Sequence, residues 1–282
     1  MTSLKQSLYA AAEAIVSADT FLIGAGAGMS VDSGLPDFRG KDGLWNVELP
    51  ANKHGLTWRE VSSPRGFRRH PQLAWGFYGI RLAEFRKSVP HDGYQILRNW
   101  VSQSEQSSFV FTSNIDGQFQ KAGFPDDSIY ECHGSMHYLQ CRGECPGRVF
   151  SADSVEVEVN PTTLIASEPL PKCDKCGLDA RPNVLMFNDS CWVPTRYDRQ
   201  YQRYQNWLSA LSGRVVVIEV GAGTAIPSVR AECEAFAEEF DATLIRINPS
   251  EPRCRNGISI RLPGREAIQR IDRAMQNHPV PS

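Results

Sequence analysis

Five short apolar runs rich in β-branched and aromatic residues recur at 21–23, 109–112, 129–132, 215–220 and 243–248. Such runs read as strands buried on both faces, the habit of a parallel sheet. Helical patterns lie between several of them, including residues 92–102 and 228–240. Strands alternating with helices predict an α/β fold built on a doubly wound, Rossmann-like parallel sheet. The first twenty residues carry an apolar face interrupted by Glu13, which predicts an amphipathic helix packed on that sheet.

Two stretches break the rhythm. Residues 41–94 are mostly helical and rich in aromatics, and 137–183 hold paired cysteines and strand-like runs such as SVEVEV. Together they predict a smaller lobe made of a helical module (41–94) and a zinc-binding module (137–183). The larger, nucleotide-binding domain is then assembled from 1–40, 95–136 and 184–282.

Within the 282 residues, 30 Lys+Arg nearly balance 32 Asp+Glu. That balance leaves no electrostatic footprint for nucleic acid or an anionic membrane. No apolar run approaches the ~18 residues of a bilayer-spanning helix. Eight cysteines without a secretory signal point to a reducing compartment, so the expected location is cytoplasmic.

Each expected strand is followed at once by unusual chemistry: GAGAGMS, SNIDG, HGS, GAGT and NPSEP. In open parallel sheets, ligands bind beyond the carboxyl ends of the strands, so these five segments predict one shared crevice. The first loop contains Gly24, Ala25 and Gly26, whose small size lets backbone N–H groups approach a pyrophosphate. A redox dinucleotide fold would want a third glycine at position 29 and an acid roughly 20 residues further on. Met29 stands there instead, and Pro36-Asp37-Phe38-Arg39 follows. Gly221-Ala222-Gly223-Thr224 is a second loop of the same kind, and two such loops suit a dinucleotide.

Asn114 and Asp116 flank Ile115, which alternation turns the other way. Both residue types favour turns, yet at a strand end they also offer an amide and a carboxylate to a cationic ligand such as an oxidised nicotinamide ring. A lone histidine is usually structural. His133, beyond a strand end and facing the same crevice, becomes a candidate general base, with an ordinary pKa of about 6.5. Cys141 and Cys145 form one close pair, and Cys173 and Cys176 another. Paired thiolates at such spacing make a tetrahedral zinc site, and four sulfurs leave the metal no open position, so its role is structural.

In their order, GAGMSVDSGLPDFRG, GLW at 43–45, TSNIDG, HGS, the four cysteines, RPNVLMF at 181–187 and Asn248 resemble the sirtuin family of NAD⁺-dependent protein deacylases. The resemblance runs from about residue 20 to 265. It implies NAD⁺ as co-substrate and an acylated lysine of a protein or peptide as partner. Asp37, Phe38 and Arg39 would close over the nicotinamide ribose. Gly24, Ala25, Gly26, Ser30, Trp45, Ser113, Asn114, Ile115, Asp116, Gly221, Ala222, Gly223, Thr224 and Asn248 would complete the cofactor site. His133 and Asn114 would be catalytic, and Val184 and Phe187 would border the peptide. Tyr78 and Arg81, three apart on an expected helix, resemble the Tyr-x-x-Arg of the class that removes succinyl and malonyl groups. Ser62 stands where that class has an alanine in its acyl pocket.

Some positions depart from the family pattern. Ser113 replaces a glutamine, Gly-Ala-Gly replaces Gly-Thr-Ser, and Asn188-Asp189 replaces Gly-Glu, although asparagine tolerates a left-handed backbone. Two rival activities follow: a sirtuin-like NAD glycohydrolase or ADP-ribosyltransferase without a lysine substrate, and a non-catalytic NAD⁺ or ADP-ribose sensor.

Overall fold

A computed structural model describes residues 3–36, 56–103, 108–143 and 145–276. Its centre is a six-stranded parallel sheet. In chain order the strands are β1 (Thr20–Ala25), β2 (Phe109–Thr112), β3 (Ile129–Glu131), β7 (Val215–Val220), β8 (Thr243–Ile247) and β9 (Gly257–Ile260). Their spatial order is β3-β2-β1-β7-β8-β9. The chain therefore builds outward from β1 in one direction and then returns to build outward from β7 in the other. That reversal opens a crevice between the carboxyl ends of β1 and β7. Two single-turn helices, α2 (Gly28–Val31) and α7 (Gln118–Lys121), follow β1 and β2 at its rim.

The strands bury both faces, as their apolar runs require. Phe21 and Ile23 enter one core, together with Ala11 and Ile15 of α1 (Leu4–Val16), Leu97 of α6 (Asp92–Ser102) and Ile268 of α10 (Gly264–Gln276). Leu22 enters the opposite core with Trp207 of α8 (Thr195–Ser209) and Phe236 of α9 (Ser228–Glu239). The period-two alternation thus distributes one strand between two helical layers. β9 has no counterpart among the expected strands: GISI is short and half-exposed at the sheet edge, where apolar content is low.

A second core joins the two excursions. Its helical part is α3 (Trp58–Val61), α4 (Pro64–Arg69) and α5 (Pro71–Lys87). Its other part is an antiparallel sheet of β4 (Gly134–Cys141), β5 (Val149–Ser151) and β6 (Ala180–Val184), in the order β5-β4-β6. Trp75, Phe77 and Leu82 pack there with Met136, Leu139 and Val184. SVEVEV (154–159) does not form the strand its alternation suggests; only Val159 makes an isolated bridge, to Ala166. Its valines still face inward, but against helix α5: a Cβ on Gly79 would meet Val157 Cγ1 at 2.7 Å. Among the described residues, no helix is long and apolar enough to cross a membrane.

Beneath the sheet's second face, Arg246 Nε and Nη2 donate to Glu219 Oε1 and Oε2, both at 2.7 Å, with the two side chains almost fully buried. Removing the Glu219 carboxylate would leave the buried guanidinium with only the largely exposed Glu234, 2.7 Å from Nη2, as its acid among the described residues. Glu219→Ala is expected to lower the unfolding free energy by about 3–5 kcal/mol, measured by urea denaturation.

Candidate active site

The crevice is a cleft of about 960 Å³ at the carboxyl ends of β1, β2 and β7. Its floor depends on two loops in direct contact. Gly26 N–H donates to Val220 O and Gly28 N–H to Gly221 O. A Cβ on Gly26 would lie 2.6 Å from Ala222 Cα, so only glycine lets the backbones meet. This changes the role read for the first loop. The Gly26 amide is committed to the neighbouring strand, while Gly24 and Ala25 stay within β1 and do not line the cleft. Gly24 serves packing instead, because a Cβ there would strike Cys233 Sγ of α9.

On this floor sits a buried polar network. Ser30 Oγ donates to Asp116 Oδ2 at 2.6 Å and lies 3.1 Å from Tyr94 Oη. Asn114 Nδ2 donates to Gly26 O at 2.9 Å and to Ser30 Oγ at 3.2 Å. Gln118 N–H donates to Asp116 Oδ1, and His137 Nε2 contacts Asp116 O. Burial pushes the Asp116 carboxyl above its ordinary value, against the opposing effect of the Ser30 and Gln118 donors. Burial also raises the Tyr94 phenol, with the Asp116 charge adding to the effect. His91, the N-cap of α6, supports the same network. Gly93 N–H donates to its Nδ1, so the proton resides on Nε2 and is donated to Met29 O. Burial holds its pKa below the ordinary value.

Gly134, at φ +77° with its Cα against Asn183 O, makes the turn that leaves His133 at the mouth between the two sheets. His133 lines the cleft together with Ser113, Asn114, Ile115 and Asp116. Ile115 also packs against the second core, which explains why it faces the cleft rather than away from it. Gly221, Ala222, Gly223, Thr224 and Asn248 line the opposite end. There Thr224 donates through both N–H and Oγ1 to the Glu251 carboxylate, and Asn248 Oδ1 accepts from Ser250 and Glu251 N–H. Asp37, Phe38, Arg39 and Trp45 lie outside the described residues.

The cleft continues to the outer strand of the small sheet. Among the described strands β6 has β4 on one side only; its last residue, Val184, and Met186 beyond it are buried, while Leu185 and Phe187 are exposed. Asp189 holds the following loop. It accepts both Arg181 Nη2 bonds (2.8 and 2.9 Å) and the N–H groups of Met186 and Cys191. Asn188 takes the left-handed backbone, φ +53°, that its residue type tolerates. Tyr78 also lines the cleft and donates to Ser62 O at 3.1 Å. Arg81 does not line it. Its Nη1 pairs with Glu84 at 2.8 Å, and its buried Nε has no hydrogen-bond partner among the described residues.

The sequence reading does not include Tyr94, His91, Asp189 or Glu251. Asp189 is signalled only as an aspartate standing where the family pattern has glutamate. Tyr94 carries no signal, since a tyrosine on an amphipathic helix is ordinarily core.

The four thiolate candidates meet as their spacing predicts. All four sulfurs lie within 4.8 Å of one another, with Cys141 and Cys176 at 3.6 Å. Zn–S bonds of about 2.3 Å set a tetrahedral S···S edge near ~3.8 Å, so the donor set fits zinc. Gly143 N–H donates to Cys141 Sγ. The Leu178 backbone N–H, with smaller contributions from the neighbouring thiols, lowers Cys176 to about 7. Cys145 is pushed up to about 12, first by its hydrogen bond to Cys176.

The profile of the Sir2 family matches residues 26–211. This chain belongs to the Sir2 family. An NAD-dependent protein deacylase of Aquifex aeolicus is 32% identical over 226 residues, 80% of this chain and 82% of that one. One from Pyrococcus abyssi is 32% identical over 241 residues, covering 85% and 86%. Among solved structures, a Sir2 homologue in complex with ADP-ribose superimposes with a TM-score of 0.71 at 25% identity, covering 94% and 95% of the two chains. The six-stranded α/β sheet with its four-cysteine lobe is thus a Sir2 fold.

Two measurements test the site. Native mass spectrometry is expected to find one zinc per chain; Cys173→Ser loses it and lowers the melting midpoint by on the order of 10 °C. For Asp116, the folded state holds the proton more tightly than the unfolded chain, whose carboxyl titrates near 3.8. Its contribution is therefore complete below that value and is lost as pH rises through the raised folded pKa. The unfolding free energy of the wild type minus that of Asp116→Asn is expected to fall as pH climbs from about 4.

Proposed function

We propose that the chain is an NAD⁺-dependent protein-lysine deacylase releasing nicotinamide, free lysine and O-acyl-ADP-ribose. The observation that carries this reading is the joint presence of His133, Asn114 and Asp116 in one cleft with both glycine loops and the outer strand β6. NAD⁺ would lie across the loops, with its adenosine end toward Asn248. The oxidised nicotinamide is positively charged, and Asp116 offers a carboxylate to hold it. Cleavage of the glycosidic bond sends the bonding electrons to the ring and leaves an oxocarbenium-like ribose, which gains from a nearby carboxylate and from exclusion of water.

The acyl oxygen of the lysine amide attacks that carbon. His133 would then take the proton of a ribose hydroxyl, which would add to the acyl carbon; the lysine would leave as the protonated amine, and addition of water to the acyl carbon would release O-acyl-ADP-ribose. Asn114 Nδ2 is already committed to Gly26 O and Ser30 Oγ, so its side chain is fixed before the ribose or a water arrives. The substrate peptide would pair with the free edge of β6. Zinc, held by Cys141, Cys145, Cys173 and Cys176, would tie the turn before β6 to the end of β4 and take no part in the reaction.

An acidic acyl group, succinyl or malonyl, is the finer reading. Tyr78 lines the cleft beside Ser62, and Arg81 Nε, unpartnered among the described residues, is a donor that a carboxylate could satisfy. It would require Arg81 to turn from Glu84.

One assay addresses these points: NAD⁺ with acetyl-, succinyl- and malonyl-lysine peptides, with O-acyl-ADP-ribose read by mass spectrometry. Peptide-stimulated turnover is expected, and His133→Ala should reduce it by about 10²-fold or more while ADP-ribose binding by calorimetry persists. Nicotinamide release that ignores the peptide would favour the glycohydrolase or ADP-ribosyltransferase reading and remove this one. A succinyl preference that disappears in Arg81→Met is expected for the acidic-acyl reading; an unchanged ratio would refute it.

A further inference from the structure

Behind His133, on the α8/α9 side of the sheet, lies a second pocket of about 420 Å³. Among the described lining residues it shares His133 and Leu185 with the main cleft. Its walls are aromatic to a degree the fold does not require. Tyr197 and Tyr201, one turn apart on α8, lie parallel at an interplanar angle of 3°. Tyr130 of β3 meets both at about 60°, with centroids 5.1 and 5.9 Å away. Tyr204 lies deeper and donates its hydroxyl to Glu232 Oε1 at 2.7 Å. Glu232 is the only acid among the described lining residues, and none of them is a lysine or arginine.

Tyrosine faces carry the negative part of a ring quadrupole and attract a cation within about 6 Å of the centroid. A carboxylate oriented by a phenol adds a formal charge to the same enclosure. Aromatic walls with one acid, and with no lysine or arginine among the described lining residues, select a positively charged side chain over a neutral one. Leu185 gives the location its meaning. It directly follows β6, its N–H donates to His133 O at 2.9 Å, and its side chain borders both openings. A peptide paired along 184–187 advances about 3.3 Å per residue with side chains alternating in direction. A residue within two positions of the acylated lysine therefore comes within reach of the pocket.

We propose that this tyrosine-lined pocket is a specificity subsite that receives an arginine or lysine side chain flanking the acyl-lysine of the substrate. The inference rests on the deacylase reading for its peptide, and it is tested by binding as well as by turnover.

The probes are acetyl-lysine peptides carrying one arginine, or the isosteric but neutral citrulline, at each of the two positions on either side of the acetyl-lysine. Affinity is measured by calorimetry on the full chain. The protein's net charge of −2 attracts any basic peptide without regard to position, so the readout is the arginine-to-citrulline ratio position by position. At one position arginine is expected to bind about tenfold more tightly. Glu232→Gln should bring that ratio close to one. Tyr201→Ala, at an exposed rim residue, should reduce it even if loss of the Tyr204 bond unsettles the first variant. Equal affinities at every position, a ratio that survives both substitutions, tighter binding of leucine than arginine there, or no peptide binding at all would each overturn the proposal. Selective binding without NAD⁺-dependent turnover would refute the deacylase reading alone. Turnover without selectivity would refute the subsite alone.

Discussion

The contact between the loops after β1 and β7 is the constraint from which the site follows. Gly26 and Gly28 donate across to Val220 O and Gly221 O at a separation that excludes any side chain. Because β1 and β7 are neighbours at the point where the sheet changes direction, this contact fixes the floor of the cleft. The remaining chemistry is hung around it: Asn114 donates to the carbonyl of Gly26, and Asn248 to that of Ala222. A shift of one loop would move the amide, the carboxylate it neighbours and the far wall together.

The polar network above that floor is organised before any ligand arrives. Ser30 joins Asp116, Asn114 and Tyr94 in one chain of hydrogen bonds, and His91 braces the backbone of Met29 beneath it. Burial makes the Asp116 carboxylate reluctant to ionise alone. A cationic partner would relieve that reluctance, so under the proposed function the same desolvation would favour a positively charged ring beside Asp116. Electrostatic preorganisation of this kind requires that the residues around the acid already be spoken for.

Much of the architecture was legible because it rests on short-range pattern. Four expected strands agree closely with β2, β3, β7 and β8, since each is an apolar β-branched run bounded by polar turns. β1 extends further than expected, taking in Gly24 and Ala25, because glycine gives a strand no apolar signature. The cysteine spacing was sufficient for the metal cluster, because ligand chemistry allows few arrangements. What could not be read was allocation. Residue types do not reveal that the Gly26 amide is committed to a strand, that Arg81 pairs with Glu84, or that Glu251 engages Thr224. SVEVEV shows the same limit: alternation announces which side chains turn inward, but not whether a helix or a strand waits there.

The buried Arg181–Asp189 pair has a kinetic consequence. By accepting from Met186 and Cys191 as well as from Arg181, Asp189 rigidifies the segment beyond β6 before a guest chain arrives. On the proposed function, docking of a substrate peptide would then order only the incoming backbone, and this surface would surrender little conformational freedom. Association with this rim should be governed by diffusional encounter and alignment, with discrimination among partners expressed chiefly in how long each one stays.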